Sequence, residues 1–318
     1  MAQSPPLKVL LLPVPGLYEP WCADVVTAIG AKHDLRVFER GRPIEEQFRD
    51  VDVVIDHGGH NGTHEMMEAA RSARLWQIMS IGVEHVDLAY LRPRFEFVAR
   101  VPGTTSAVSL AQTALMFILM LAHRVRQCDR NFHDGTWLEP AGVELEGRAL
   151  GIVGVGHSGR RLGPLATALG MRVSGVNRTP RPDAGFEVGP MDDLDALIGR
   201  SDFLSVHLAL TDETRGILDA RRIGLLRPDA CLINVARGGL VDQAALFEAL
   251  RDGRIGGAGL DVFETEPADP SDPVYARPNV VVTPHIAAFT DGSSRKRAES
   301  IAENVDRLAR GESPQHLV

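Results

Sequence analysis

Aromatic side chains make up only 5% of this 318-residue chain, and cysteine occurs three times. With so few aromatics, composition does not name the walls of a pocket. The cysteines, Cys22, Cys128 and Cys231, are odd in number, far apart and without CxxC or other metal-ligand spacing. That pattern argues against a disulfide framework or a metal site and fits a reduced, cytoplasmic compartment. An excess of positive charge is also missing. Against 42 acidic residues stand 34 basic ones, a formal charge of -8, which disfavours binding to a nucleic-acid backbone. Ala114 to Ala122 is about half of the roughly 20 apolar residues that a bilayer span needs, and it reads as a buried helix. Met1 to Leu12, interrupted by Pro5 and Pro6, lacks the pattern of a signal peptide and reads as a first strand. No membrane partner is expected, and neither an internal repeat nor a low-complexity segment is present.

What is there is ordinary for a globular chain, 44% hydrophobic and 24% charged, and long enough for two domains. From Leu7 onward, short β-rich runs alternate with helix-length segments: KVLLLP, LRVFE (35–39), VDVVID (51–56) and LWQIMS (75–80). Such alternation predicts βαβ units and a parallel sheet. The segment HGGHNGTH (57–64) follows the third run, at the carboxyl end of a strand where ligands are bound; it reads equally as a glycine-rich turn. After Val101-Pro102-Gly103, Ser106 is placed to cap a helix running to about Arg126 that is apolar nearly all round. Such a helix needs cover on every side, from the rest of the chain or partly from a second subunit, and a homodimer is expected. A second alternating series then begins at Ala149: ALGIVG, MRVSGV (171–176), FLSVHL (203–208), ACLINV (230–235), GAGLDV (257–262) and NVVVTP (279–284). A last helix over about 293–310 carries Ala298, Ile301, Ala302, Val305 and Leu308 at helical spacing, so one face packs against a partner element.

Gly154, Gly156 and Gly159 form a GxGxxG directly after a strand and before a helix-length segment. In that context Gly154 permits the tight turn, Gly156 lets a pyrophosphate approach the backbone, and Gly159 lets helix and sheet close up. The helix N-terminus beyond offers unpaired N–H groups to the anion. The next strand ends at Asn177-Arg178-Thr179, where an NAD enzyme usually presents an acid to the ribose. Here the acid is absent, and a cation and a hydroxyl follow that suit a 2′-phosphate. NADP is therefore the expected cofactor; NAD remains admissible if Arg178 is only a solvated loop residue.

Arg237, Glu266 and His285 follow successive strands of this second series and are separated by 29 and 19 positions, so one crevice at the strand ends receives all three. Arg supplies a fork of donors to a carboxylate, His supplies a proton near neutral pH, and an acid beside the imidazole orients it. Each also has a plain alternative: a turn before Gly238-Gly239, a solvated acid before Pro267, a satisfied histidine behind Pro284. Together, NVARGGLVDQAAL, GLDVFETEP and TPHIAAFT, with GVGHSG upstream, closely resemble the signature blocks of the D-isomer-specific 2-hydroxyacid dehydrogenases.

That resemblance implies a fold of two doubly wound parallel-sheet α/β domains. A flavodoxin-like substrate domain, 1–103 with 290–318, would be interrupted by a Rossmann cofactor domain, 104–289. It implies that Arg237 binds and polarises a small 2-keto acid, that His285 is the acid in reduction and the base in oxidation, and that Glu266 pairs with His285. His157 and Ser158 would meet the pyrophosphate, Asp261 the nicotinamide carboxamide, and Val235 and Ala236 the cofactor as well. SIGVEHVD (80–87) resembles the family's GxGxDxxD loop, making Gly82 and Val83 the substrate contacts through their backbone N–H groups. The chain departs from the family pattern at Glu84, His85, Gln112 and the missing proline near Ala209. The expected activity is reduction of glyoxylate, hydroxypyruvate or a related 2-keto acid. A rival is a nucleotide-sensing, corepressor-like protein, which a broken catalytic trio or long extra segments would mark; neither is seen. A formate-oxidising relative would place a glutamine where Glu266 stands.

Overall fold

The protein is described from a computed structural model covering residues 5–14, 19–57, 61–179 and 181–318. Its elements in chain order begin with β1 (Lys8–Leu12), α1 (Trp21–Gly30), β2 (Asp34–Val37), α2 (Ile44–Phe48), β3 (Val53–Asp56), α3 (His64–Ala69), β4 (Leu75–Ile78), α4 (Leu88–Leu91) and β5 (Phe97–Ala99). There follow α5 (Ala107–Ala122), α6 (Val125–His133), β6 (Ala149–Val153), α7 (His157–Ala168), β7 (Arg172–Val176), β8 (Glu187–Gly189), α8 (Leu194–Arg200) and β9 (Phe203–Val206). The chain ends with α9 (Ala220–Ile223), β10 (Cys231–Asn234), α10 (Gln243–Arg251), β11 (Gly257–Leu260), β12 (Val280–Val282) and α11 (Asp291–Ala309). By internal contacts it divides into two compact units, residues 1–105 with 290–318, and residues 106–289.

The first unit is built on a parallel sheet in the order β2-β1-β3-β4-β5, a doubly wound arrangement. Its central strands read as nearly continuous apolar runs because both faces are covered. On one face Val9, Leu11, Ile55 and Leu75 meet Val25 and Ile29 of α1 and Ile301 and Val305 of α11. On the other, Leu10, Val54 and Trp76 meet Phe48, Met67 and Leu91. The last helix thus returns to the sheet with which the chain began. Thr290 caps it, its hydroxyl accepting from Ser293 N at 3.2 Å. Ala298, Ile301, Val305 and Leu308 are buried as their spacing predicts, while Ala302 lies at the margin.

The second unit carries seven parallel strands in the order β12-β11-β10-β9-β6-β7-β8. The order reverses direction between β6 and β9, and in open α/β sheets that switch point is where a ligand crevice opens. Two short edge strands, β5 and β8, escape the hydrophobic pattern; each has three residues, too few for alternation to register. The helix expected from Ser106 to about Arg126 is shorter. It stops at Ala122, Arg124 takes a left-handed conformation at φ 50°, and a separate helix starts at Val125. Ser106 occupies the N-cap position without a side-chain capping bond. With the 3-10 turn before it, the helical stretch Gly103–Ala122 is 20 residues, long and apolar enough to cross a membrane by length and composition alone. Here more than half of it is buried in the fold, with Ala114, Phe117 and Ile118 in the core beneath β10 and β12.

Asn304 of α11 is buried and bonded at both ends of its amide. It donates to Gln77 Oε1 on β4 at 2.7 Å and to Gln315 O at 3.1 Å, and accepts from Gln315 N at 2.7 Å. Replacing Asn304 by Ala leaves the buried Gln77 Oε1 without its donor and frees the Gln315 backbone groups, and is expected to destabilise the first unit by about 1–3 kcal/mol, measured by thermal or urea unfolding. An unchanged midpoint would show that these bonds contribute nothing net.

Candidate active site

Three successive strands of the seven-stranded sheet deliver the polar residues singled out above. At the end of β10, buried Asn234 turns its amide onto the following turn: Nδ2 donates to Arg237 O at 2.9 Å and Oδ1 accepts from Ala236 N at 3.1 Å. Arg237 leaves this turn extended and half-buried, with Nη1 donating to Ala236 O. Gly238 must lack a side chain because a Cβ there would collide with the backbone of Phe263. The turn carrying Arg237 therefore lies directly against the segment leading to Glu266.

At the end of β11, Asp261 is 1% exposed and its carboxylate accepts three bonds from the turn after β12. Oδ1 takes Thr283 Oγ1–H at 2.6 Å and Ile286 N–H at 2.8 Å, and Oδ2 takes Ala287 N–H at 3.0 Å. His285 sits inside that turn at φ 54°, a left-handed conformation unfavourable for a non-glycine residue, and its N–H is held by Asp261 O at 2.8 Å. So braced, the imidazole places Nδ1 2.6 Å from Glu266 Oε2. The other carboxylate oxygen, Oε1, accepts from Phe263 N at 2.9 Å. Nε2 of His285 has no hydrogen-bond partner among the described residues. Burial would raise the Glu266 carboxyl, but bonds from His285 and Phe263 N–H, with the nearby Arg237 charge, outweigh it and lower its pKa. A cavity of about 690 Å³ opens beside the pair, walled by Phe263, Pro267, Pro270, Tyr275 and Val282.

The glycine turn joins β6 to α7. Gly154 has φ 94°, and a Cβ there would press on the backbone of His207 and Leu208 at 2.8 Å. At Gly159 a Cβ would come within 2.5 Å of Gly154 O. Gly156 differs: a Cβ there would meet nothing within 4 Å, so the space in front of it is open. With the unpaired first-turn N–H groups of α7 and the half-exposed Ser158 alongside, that open space fits a dinucleotide pyrophosphate. Asn177 braces this turn, since its Oδ1 accepts from Val155 N at 3.1 Å and its Nδ2 donates to Thr179 O at 2.7 Å. The side chains of His157, Arg178 and Thr179 are exposed. Val235 is buried in the core, leaving its backbone for any ligand, and Ala236 is half-buried.

Gly82 and Val83 lie in the other unit, on the loop after β4. Its carbonyls are tied down: Met79 O accepts from Arg297 Nη1 at 3.1 Å, Ile81 O from Arg100 Nη1 at 2.7 Å, and Gly82 O from Ser80 Oγ at 2.7 Å. The N–H groups of Gly82 and Val83 make no hydrogen bond among the described residues. Of HGGHNGTH, positions 58–60 lie outside the described residues. Of the others, Asn61 and Gly62 donate their N–H groups to Asp56 at 3.2 Å each, Thr63 caps α3, and His64 stacks on Tyr90. Two residues escaped the sequence argument. Asn234 and His207 both stand at strand ends, which is the signal that would have found them.

The chain belongs to the D-isomer specific 2-hydroxyacid dehydrogenase family, whose NAD-binding-domain model matches residues 115–287, more than half of its length. It is an NAD(P)-dependent oxidoreductase of 2-hydroxy acids, with a parallel-sheet Rossmann domain and a second parallel-sheet domain. Among individual relatives, it is 34% identical over 282 residues to a glyoxylate reductase of Korarchaeum cryptofilum, covering 86% of this chain and 85% of that protein. It is 32% identical over 278 residues to a D-3-phosphoglycerate dehydrogenase of Methanocaldococcus jannaschii, of which it spans about half, 52%. A D-isomer specific 2-hydroxyacid dehydrogenase of Xanthobacter autotrophicus Py2, solved in complex with NADPH and MES, matches with a TM-score of 0.81 and 28% identity over 99% of this chain and 98% of that one.

Replacing Asp261 by Ala would leave the Thr283 hydroxyl and the Ile286 and Ala287 N–H groups without their acceptor. A loss of about 3 kcal/mol in unfolding free energy is expected, whereas Thr283→Val, which removes one donor, is expected to cost about 1 kcal/mol. Equal effects would show that Asp261 does not hold the turn. A pH dependence follows from Glu266. Its folded pKa is depressed, so the stability it contributes is present above the ordinary carboxylate range and is lost as pH falls through the lowered value. Glu266→Gln is expected to flatten that part of the melting-temperature profile.

Proposed function

We propose that the protein reduces a small 2-keto acid of the glyoxylate or hydroxypyruvate type to its D-2-hydroxy acid, with NADPH preferred to NADH. The observation that carries this reading is the 2.6 Å contact between His285 Nδ1 and Glu266 Oε2. With Nδ1–H donated to the carboxylate, the ring offers Nε2 to a carbonyl oxygen, and the ionised Glu266 stabilises the protonated ring before transfer. A reduced dinucleotide, its pyrophosphate held at the glycine turn, would supply the hydride. As negative charge reaches the carbonyl oxygen, His285 gives up its Nε2 proton; in the reverse direction it removes the hydroxyl proton. The forked donors of Arg237 grip the substrate carboxylate and draw charge toward its carbonyl. Gly82 and Val83 are read as backbone donors to a substrate, a role supported by N–H groups that make no hydrogen bond among the described residues. The glyoxylate reductase named above supports the substrate class.

Preference for NADPH rests on Arg178 and Thr179, exposed at the end of β7 beside an uncharged Asn177. Asn177 itself acts on the turn through Val155 N, leaving the phosphate to its two neighbours. Asp261 acts on His285, since three bonds already engage its carboxylate, and a nicotinamide carboxamide would share it with them. The reading extends to a cytoplasmic homodimer. Three free thiols fit a reducing compartment. Val108, Gln112 and Met116 form an exposed stripe along α5, and Phe132, Trp137 and Leu138 project from the segment after it, exposed by 64%, 72% and fully. The exposed apolar side chains among these support a contact with another chain.

Absorbance at 340 nm with a panel of 2-keto acids tests the reaction. His285→Ala is expected to lower kcat on the best substrate by about 10²–10⁴-fold, the contribution of a positioned general acid. Arg178→Ala is expected to reduce the NADPH-over-NADH ratio of kcat/KM about tenfold, the worth of one charge-assisted hydrogen bond. Tight cofactor binding with no turnover on any 2-keto acid would contradict the proposal and favour a nucleotide-sensing protein.

A further inference from the structure

His207 follows β9, directly behind the glycine turn, and takes no part in the chemistry above. Its ring links two hydroxyls, with Nε2 2.9 Å from Ser205 Oγ and Nδ1 2.9 Å from Ser158 Oγ. Desolvation lowers its pKa to about 4, so at neutral pH it has one N–H and one bare nitrogen. Ser205 decides which is which. It lies fully buried in the middle of the sheet, and His207 Nε2 is the sole hydrogen-bond partner of its hydroxyl among the described residues. If Nε2 carried the proton, the Ser205 hydroxyl would accept it and leave its own proton buried without an acceptor. The favourable arrangement has Ser205 donate to bare Nε2, because a buried unsatisfied donor is the more costly state. Nδ1–H then donates to Ser158 Oγ, and the Ser158 proton is directed elsewhere.

We propose that His207 is a positioning residue for the dinucleotide: by donating Nδ1–H to Ser158 Oγ, it turns the Ser158 hydroxyl proton toward a pyrophosphate oxygen at the start of α7. Ser158 is the second residue of that 12-residue helix and is half-exposed. The open space is in front of Gly156, two positions earlier. Gly154 is packed against the backbone of His207, so the turn and the ring that orients its serine share one rigid contact. The hydroxyl adds a fixed side-chain donor to the backbone N–H groups of the helix end. The inference rests on the dinucleotide-binding role of this unit but not on the identity of the keto acid.

ADP-ribose, which carries the pyrophosphate without nicotinamide, is the probe, with calorimetric titration as the readout and melting temperature as a check on folding. Ser158→Ala is expected to weaken ADP-ribose binding about tenfold, the size of one charge-assisted hydrogen bond. Ser158→Thr, which keeps the hydroxyl, is expected to retain affinity within about twofold. His207→Phe, or His207→Gln should the former fail to fold, is expected to lose a similar amount, and the Ser158→Ala/His207→Phe double variant to lose no more than either alone. Losses that add, or a Ser158→Ala affinity within twofold of the unaltered protein, would overturn the proposal. If the unaltered protein does not bind ADP-ribose at all, the dinucleotide reading itself fails, whatever the variants do.

Discussion

Asp261 ends β11 with a carboxylate shared among three donors of the turn that follows β12, and the position of His285 follows from that sharing. A residue at φ 54° would relax if its surroundings allowed it. Here the surroundings do not, because relaxing the turn would pull its donors away from the buried Asp261 carboxylate. The imidazole is fixed before any substrate arrives, and Glu266 meets it at hydrogen-bond distance. In the proposed reaction, a proton donor held in place in this way would lose little entropy at the moment of transfer.

The same device recurs along the sheet. Asn234 ends β10 and holds the Arg237 turn through two bonds; Asn177 follows β7 and holds the glycine turn through Val155; His207 follows β9 and holds Ser158. Each is a polar side chain at the carboxyl end of a parallel strand, folded back onto a neighbouring turn. Apart from Ser205, the central strands β6, β9, β10 and β11 are apolar along their length, and the polar side chains collect at the carboxyl ends where the strands stop. The glycines complete the arrangement: Gly154 and Gly159 are required by contacts within the protein, whereas Gly156 is open to an outside ligand.

Much of this was legible in the sequence because strand ends are legible. The runs ACLINV, GAGLDV and NVVVTP locate β10, β11 and β12 to within a residue or two, and Arg237, Glu266 and His285 follow from the geometry of parallel strands. The three-residue edge strands β5 and β8 carry too short a pattern to be seen. The early end of α5 depends on the left-handed Arg124, and nothing in the apolar periodicity marks that break. The turn-holding roles of Asn234, Asn177 and Asp261 depend on where a side chain points, which residue spacing does not encode. Asp261 is instructive. Sequence resemblance suggests a contact with the cofactor, and the structure adds bonds from the carboxylate to the His285 turn that the sequence does not reveal.

In the proposed reaction the transferred proton comes from His285 as held by Glu266, and a single-turnover experiment tests this most directly. NADPH pre-bound to the enzyme is mixed with saturating glyoxylate, or with the best keto acid of the panel, and its oxidation is followed in the unaltered protein and in Glu266→Gln. The account predicts unchanged NADPH affinity and hydride transfer slowed about a hundredfold, within the range for loss of effective general acid catalysis. Hydride transfer at the unaltered rate in Glu266→Gln would contradict it and leave Glu266 only the task of holding Phe263.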